Sequence, residues 1–379
     1  MKKIAKKTLA TLNVLVIIGM MLTGFADILD PRTWGFLAIA GYAFPFFVFL
    51  NVVFIAVWMI VSKRYILLPF AGFILCYSPV MKFCPLNIGQ EAPLGCLKVM
   101  TFNTWQFGYS EYEATDEERA QARRDVLNYI ADADCDIVCL QESGISSWME
   151  QEFDSIVKPV MPYRSSSEWC GNSILLLSKY PIVRHEKIKY ESKGNLSVAF
   201  FLNVNGKELI VVDNHLESNH FSTEEKEHFG DVVKGGAKNG GIKGESKFVA
   251  RKLVNAAKIR AAQADAVATF VSLHKGRSIL LCGDFNDIPL SYAHRTIAKD
   301  LTDCYISTAK GPGFTYHRNG MYVRIDNMMC SNDMTPFDCH VDKSCSRSDH
   351  FPIVGWIKWK KCVVAATTSL RYISPKTNT

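Results

Sequence analysis

Asp284 and Asn286 stand two residues apart in the stretch LLCGDFNDIP, directly after an apolar run that begins at Ile279. Such runs read as buried strand, and the Gly that follows reads as its end. Both polar side chains then fall just past a strand, where alternation can project them to the same side. A carboxylate beside an amide at such a place suits phosphate or metal chemistry. It also suits a plain Asx turn that bonds only its own backbone. The rest of the chain bears on the choice, because Asn103, Glu142, His215, Asp326, Asp349 and His350 also lie at or near the ends of apolar runs. Scattered core polar groups would not keep choosing strand ends. Binding and catalytic groups do, because loops held by a rigid scaffold can converge.

The elements that must position these residues follow from periodicity. LKVMTFN (97–103), CDIVCLQES (135–143) and NSILLLSKYPIV (172–183) read as strands, the last stopped at Pro181. VAFFLNVNGKELIVVDNHLES (198–218) reads as a hairpin around Asn205-Gly206. Asp116 to Ala131 reads as a helix with Val126, Leu127 and Ile130 on one side, and a longer helix runs from about Ser246 to Leu273. Between Asn219 and Lys247 the chain is charged and Gly-rich, which predicts a loop or lid. Strands and helices alternate with hairpins between them, so the sheets are predicted to be mixed rather than purely parallel.

Seven motifs in order carry a resemblance. VMTFNTW, DIVCLQES, GNSILLLSKYPI, VDNHLES, CGDFNDIP, RIDNMM and SDHFPIVGW resemble those of the endonuclease/exonuclease/phosphatase superfamily, from about Lys98 to Trp356. The superfamily includes deoxyribonucleases, repair nucleases, inositol polyphosphate phosphatases and neutral sphingomyelinases. The resemblance implies an α/β fold, a four-layer α/β sandwich of two packed mixed β-sheets flanked by helices.

It also implies roles. Glu142 is the expected principal ligand of Mg²⁺, with Mn²⁺ as an alternative. Asn103 and Asp349 are expected beside it, and a hard cation that keeps its waters needs only one or two carboxylates. His350 is the expected general base, oriented by Asp326. Asn286 would contact the scissile phosphate. Asp284 would protonate the leaving group or position water and metal, with both roles open. His215 would bind a phosphate oxygen or protonate the leaving oxygen. The residue before it is Asn214 where the motif usually has Thr, and the presence of His215 places the chain nearer the deoxyribonuclease, sphingomyelinase and phosphoinositide branches. Arg260 and Gln263 match a helix pattern of the superfamily, with a role at the site and a purely structural role both open.

Ahead of this region the chain is apolar. Thr8–Phe25 and Trp34–Val61 are long enough to cross a bilayer, and Tyr65–Met81, with Pro69 and Pro79, is marginal. Three spans are expected, with a cleaved signal peptide as the competing reading of the first. Lys2, Lys3, Lys6, Lys7, Lys63 and Arg64 place those flanks inside the cell. If the third stretch crosses, the domain after it is extracytoplasmic; if it is re-entrant, that domain faces the cytoplasm. With Arg32 set against Asp27 and Asp30, the residues before Tyr65 hold +5 of the net +6, so the catalytic part is close to neutral. That argues against a broadly basic duplex-binding surface and leaves a local patch open.

The 12 cysteines show no CxxC pair. Cys135, Cys139 and Cys282 read as buried thiols, and Cys339 could pair with Cys345. The expected organisation is a membrane segment at 1–81, a linker at 82–97, a catalytic domain at 98–360 and a tail at 361–379. The expected activity is hydrolysis of a phosphodiester or phosphomonoester by a membrane-anchored, metal-dependent enzyme. Its substrate would be a lipid headgroup, a small phosphodiester or a nucleic acid, and its other partner the lipid bilayer. Alternatives are an extracytoplasmic nuclease and a catalytically dead phosphoester-binding module.

Overall fold

The computed structural model describes residues 3–108, 115–219, 221, 225, 242–318 and 320–360. Most of the expected 219–247 loop and the 361–379 tail lie outside the described residues. The second long helix, Ile242–Leu273, begins earlier than its apolar pattern suggested, so the last residues of the expected loop are helical.

Two six-stranded sheets form the body. The first has the order β11-β12-β1-β2-β4-β3: Met334–Val341, Ile353–Trp359, Leu97–Asn103, Ile137–Gln141, Asn172–Ser178 and Tyr163–Trp169. The second has the order β5-β6-β7-β8-β10-β9: Ile182–Lys187, Leu196–Val204, Lys207–His215, Ile279–Asp284, Asp326–Ser331 and Leu301–Asp303. Each sheet holds one parallel pair, β1–β2 and β7–β8, and its other pairings are antiparallel. A parallel pair needs a crossover. Asp116–Asp132 lies between β1 and β2 in the chain, and Ile242–Leu273 between β7 and β8.

Alternation assigns the layers. Val99, Cys139, Leu280 and Cys282 point between the sheets, while Met100, Val138 and Leu140 pack with Val126, Leu127 and Ile130 of the 116–132 helix. Leu281 and Val212 pack with Ala264 and Val267 of the 242–273 helix. Central strands are thus covered on both faces, which is why their sequences read as continuous apolar runs. The β6–β7 hairpin turns at Asn205 and Gly206, both at positive φ (52° and 87°), as a tight two-residue turn demands.

Cys339 and Cys345 do not pair. Both are free thiols. Cys339 lies in the core between the sheets and Cys345 in the core beneath the 116–132 helix, so they occupy different layers.

At the N-terminus two segments, Lys3–Ile28 and Pro31–Val61, are long and apolar enough to cross a membrane, and Lys63–Leu75 and Tyr77–Phe83 form a pair bent by 69°. A polar clasp ties them together. Trp58 Nε1 donates to Asn13 Oδ1 (2.9 Å), Asn13 Nδ2 to Asn51 Oδ1 (3.3 Å) and Asn51 Nδ2 to the Pro69 carbonyl (2.9 Å). Such bonds between apolar helices satisfy groups that hydrocarbon cannot.

Gly283 in β8 has φ +127°, and a Cβ there would lie 1.9 Å from the Asn214 carbonyl oxygen of β7. Gly283→Ala is expected to cost roughly 3 kcal/mol or more, from combined strain and clash. Thermal unfolding followed by tryptophan fluorescence checks this; an unchanged midpoint would contradict the close strand approach.

Candidate active site

The strand directions explain why distant residues meet. Asn103 ends β1, Glu142 follows β2, His215 ends β7 and Asp284 ends β8. Asp326 begins β10 and His350 precedes β12, both antiparallel to those strands. C-terminal ends of one direction and N-terminal starts of the other therefore share one rim.

At that rim the side chains are in contact. Asn103 Nδ2 donates to Glu142 Oε1 and to Asp284 Oδ2, each at 3.1 Å. His215 Nε2 lies 3.6 Å from Glu142 Oε1 and 3.8 Å from Asp284 Oδ2. His350 Nε2 lies 3.8 Å from the same Asp284 oxygen and 4.0 Å from Asp349 Oδ1, while its Nδ1 donates to Asp326 Oδ2 at 2.8 Å. Seven of the eight predicted site residues thus form one constellation centred on Asp284. The eighth, Asn286, is one turn away: its backbone N–H donates to Asp284 Oδ1 (2.7 Å) and its amide to the Leu216 carbonyl (2.9 Å). The Asx turn and the functional placement are both present at 284–286.

Local geometry aims these groups. Glu142 and Asn286 have positive φ, 49° and 51°, an uncommon conformation for non-glycine residues that costs energy and is often found at functional sites. The Glu142 carbonyl accepts from Gln106 N (2.9 Å) and Thr104 Oγ1 (2.9 Å), which fixes the turn after β2. Ser348 Oγ donates to the Asn103 carbonyl (2.8 Å) and accepts from His350 N (3.1 Å), joining two rim loops.

Arg260 and Gln263 sit fully buried behind the rim. Arg260 Nε donates to Asp287 Oδ2 and its Nη1 to the Glu217 carbonyl and Asn219 Oδ1, each at 2.9 Å. Gln263 Oε1 accepts from Glu217 N at 2.8 Å. Together they brace the loops after β7 and β8, and these bonds go to loop groups behind the rim.

The electrostatics separate the two imidazoles. Burial lowers His215, partly offset by Asp284, so it is neutral at neutral pH. Burial also disfavours a charged His350, but Asp326 and Asp284 outweigh it and push its pKa up to about 10. Burial, with Asp326 nearby, raises Asp284. Behind the rim, burial likewise drives the Asp213 carboxyl well above its usual range, where it accepts from Gln141 Nε2 across the two sheets at 2.6 Å.

A divalent cation fits the donor set. Asp284, Asp326 and His350 offer ligand atoms within 4.8 Å of one another, and Asp326 Oδ1 is buried without a protein partner. Glu142, whose side chain is 26% exposed, faces the opening. Sequence reasoning missed Tyr316, whose ring meets the His350 ring edge-on at 5.2 Å. It also missed Asp287 as the partner of Arg260. Tyr316 stands in a stretch without strong periodicity, while Asp287 sits inside the DFND run itself.

The family model described as the Endonuclease/Exonuclease/phosphatase family matches residues 100–350. The chain belongs to this family. It carries the family's phosphoesterase and nuclease fold, and a second model, of a domain of unknown function, matches residues 6–83. A search of curated proteins gave no match. Among solved structures, the human Nocturnin catalytic domain with bound sulfate is similar at 16% identity, covering 70% of this chain and 94% of its own, with a TM-score of 0.48. Humanized D. rerio TDP2 is similar at 13% identity, covering 69% and 99%, with a TM-score of 0.47. The endonuclease/exonuclease/phosphatase from Bacteroides vulgatus is similar at 15% identity, covering 70% and 99%, with a TM-score of 0.44.

With a pKa near 10, His350 is protonated at neutral pH when only the carboxylates surround it. A cation among those carboxylates opposes imidazolium, so its arrival lowers the pKa. NMR titration of the His350 ring is expected to show a high pKa in chelator and a lower one in Mg²⁺. An identical titration in both would place the cation elsewhere.

Proposed function

We propose that the chain is a membrane-anchored, divalent-metal-dependent phosphoesterase that cleaves a P–O bond of a phosphodiester or phosphomonoester with water readied by His350. The observation that carries this reading is the convergence on Asp284. One of its oxygens is reached by the Asn103 amide and faces both imidazoles, and the second imidazole is oriented by its own carboxylate.

In this reading Mg²⁺ or Mn²⁺ would be held by Glu142 with Asp349 and the Asn103 amide oxygen beside it, next to the Asp284–Asp326–His350 cluster whose carboxylates add to the negative field at the cation, and would offset charge developing on the phosphate oxygens. Asp326 fixes the His350 tautomer, leaving Nε2 to take a proton from water, and stabilises the imidazolium that results. Asn286 and neutral His215 donate to phosphate oxygens. Asp284, raised by burial, either delivers a proton to the leaving oxygen or orders the water. No covalent enzyme intermediate is needed.

We further propose that residues 1–81 anchor the chain, 82–97 link, and 98–360 form the catalytic domain on the extracytoplasmic side. Lys82 pairs with Asp27 at 2.5 Å, so the end of the bent helix pair meets the turn between the first two helices. Gly24 packs against Phe44 and Pro79, while Trp58 reaches Asn13. The catalytic domain therefore attaches at the end opposite Lys63 and Arg64. Basic flanks favour the cytoplasm, which supports the outside placement of the domain.

His350→Ala is expected to lower Mg²⁺-dependent turnover by about 10²–10⁴-fold. Glu142→Gln is expected to raise the Mg²⁺ needed for half-activity by roughly tenfold or more. Hydrolysis of sphingomyelin, phosphoinositides and plasmid DNA by the same preparation sorts the substrate classes; activity on plasmid alone would favour the nuclease reading. For topology, the exposed Cys170 is expected to react with an impermeant maleimide in right-side-out vesicles, and labelling absent from a Cys170→Ser control identifies it. Protection until the vesicles are opened would put the domain in the cytoplasm.

A further inference from the structure

A chamber of about 440 Å³ opens directly beside the rim. Asn286 and Tyr316 form its inner end. Asn286 is the residue one turn from Asp284, and Tyr316 packs on His350. Beyond them Val249 and Leu253 of the 242–273 helix, Val323 and Ile325 of the segment before β10, and the ring of Tyr322 supply apolar wall, while Ser218, Asn219 and Glu225 also line the chamber, Asn219 Oδ1 accepting from Arg260 and Glu225 pairing with Lys252. Tyr42, which belongs to the apolar N-terminal segment, also lines the chamber. Its hydroxyl donates to Asp287 Oδ1 at 3.0 Å, so the residue after Asn286 is tied to that segment.

The volume lies within the roughly 300–1,000 Å³ of small-molecule sites, and the pattern of apolar walls with a few convergent polar groups is theirs too. A nucleotide or sugar would have to compete with Arg260 for Asn219 and with Lys252 for Glu225, or leave its own groups unpaired against the apolar wall. An aliphatic chain needs no polar partner. The segment that supplies Tyr42 also presents Trp34, Phe36 and Leu37, each more than half exposed, next to the 242–273 helix, where Gly35 meets Val254. Exposed aromatic and aliphatic side chains flanking an apolar span suit the membrane interface. The chamber is thus walled in part by a segment long and apolar enough to cross a membrane and ends at the part that would hold phosphate.

We propose that this chamber is an aliphatic-chain subsite, and that the substrate is a membrane lipid phosphoester whose chain lies between Tyr42 and Leu253 while its phosphate meets Asn286. This rests on the phosphoesterase reading above and names the substrate class of that site. The chamber contributes to specificity through burial of methylenes, each worth up to about a fourfold gain in kcat/KM if it is fully removed from water in the transition state.

The test uses the full chain in nanodiscs with Mg²⁺ or Mn²⁺ and the methyl, butyl and octyl esters of p-nitrophenyl phosphate. The readout is the ratio of kcat/KM between octyl and methyl esters. It is expected to exceed roughly tenfold in the wild type and to approach one in Leu253→Trp and in Val323→Trp, which fill the chamber. Leu253→Ala widens it and is expected to move the preferred chain length upward, a gain that misfolding cannot mimic. A flat series in the wild type with the methyl ester hydrolysed would overturn the chamber and leave the phosphoesterase reading standing. A steep series unaltered by all three variants would also overturn it, since partition into the bilayer would then supply the preference. Turnover of none of the esters would overturn the chamber, and if p-nitrophenyl phosphate itself is also untouched the hydrolase reading falls with it.

Discussion

A single amide, Asn103 Nδ2, stands between the carboxylates of Glu142 and Asp284. Like charges this close inside a protein cannot all stay ionised without a proton, a donor or a cation to hold them. Asp326 and Asp349 add to the crowd, and His350 answers part of it by holding its proton. Much of the fold can be understood as the means of keeping this arrangement in place. Two sheets packed face to face bring the ends of β1 and β2 against those of β7 and β8, and the helices behind them make the opposite layers rigid.

The rim was legible in the sequence because each polar residue interrupts or ends an apolar run in a strand covered on both faces. A buried strand can carry a charged group only where it leaves the core, so the break in pattern marks the rim. The hairpin at Asn205-Gly206 and the inner face of the 116–132 helix were legible for the same reason: turn chemistry and period are local signals. What was hidden is relational. β3 reads YRSSSEW, with polar residues throughout, and forms because β4 offers an edge for it to pair with. Tyr316 packs on His350 only after the segment before β10 folds back onto the rim. Cys339 and Cys345 are six residues apart in sequence, but a bulge in β11 and the thickness of a sheet separate them.

The two halves of the chain are less separable than their compositions suggest. The N-terminal segment does more than attach: Tyr42 touches Asp287, Arg32 pairs with Asp265 at 2.7 Å, and Leu290 joins Met20, Phe44 and Cys76 in one small core. Asp287 in turn holds Arg260, whose other bonds brace the loop after β7. A perturbation of the apolar helices therefore has a short physical route to the turn that presents Asn286.

The buried Arg324 donates to the carbonyl of Lys82, and Leu86 bridges to Lys310. These bonds fall on the wrong side of the cut that would ordinarily liberate a water-soluble fragment. A recombinant piece beginning near Leu97 would keep every rim side chain yet remove one of the two carbonyl acceptors of the Arg324 guanidinium, bare Leu290 and take the Tyr42 hydroxyl from Asp287 Oδ1, leaving it the Ile288 N–H. Such a fragment would be a different molecule from the intact chain in its stability and in the shape of its binding face, and measurements made on it would describe the severed form.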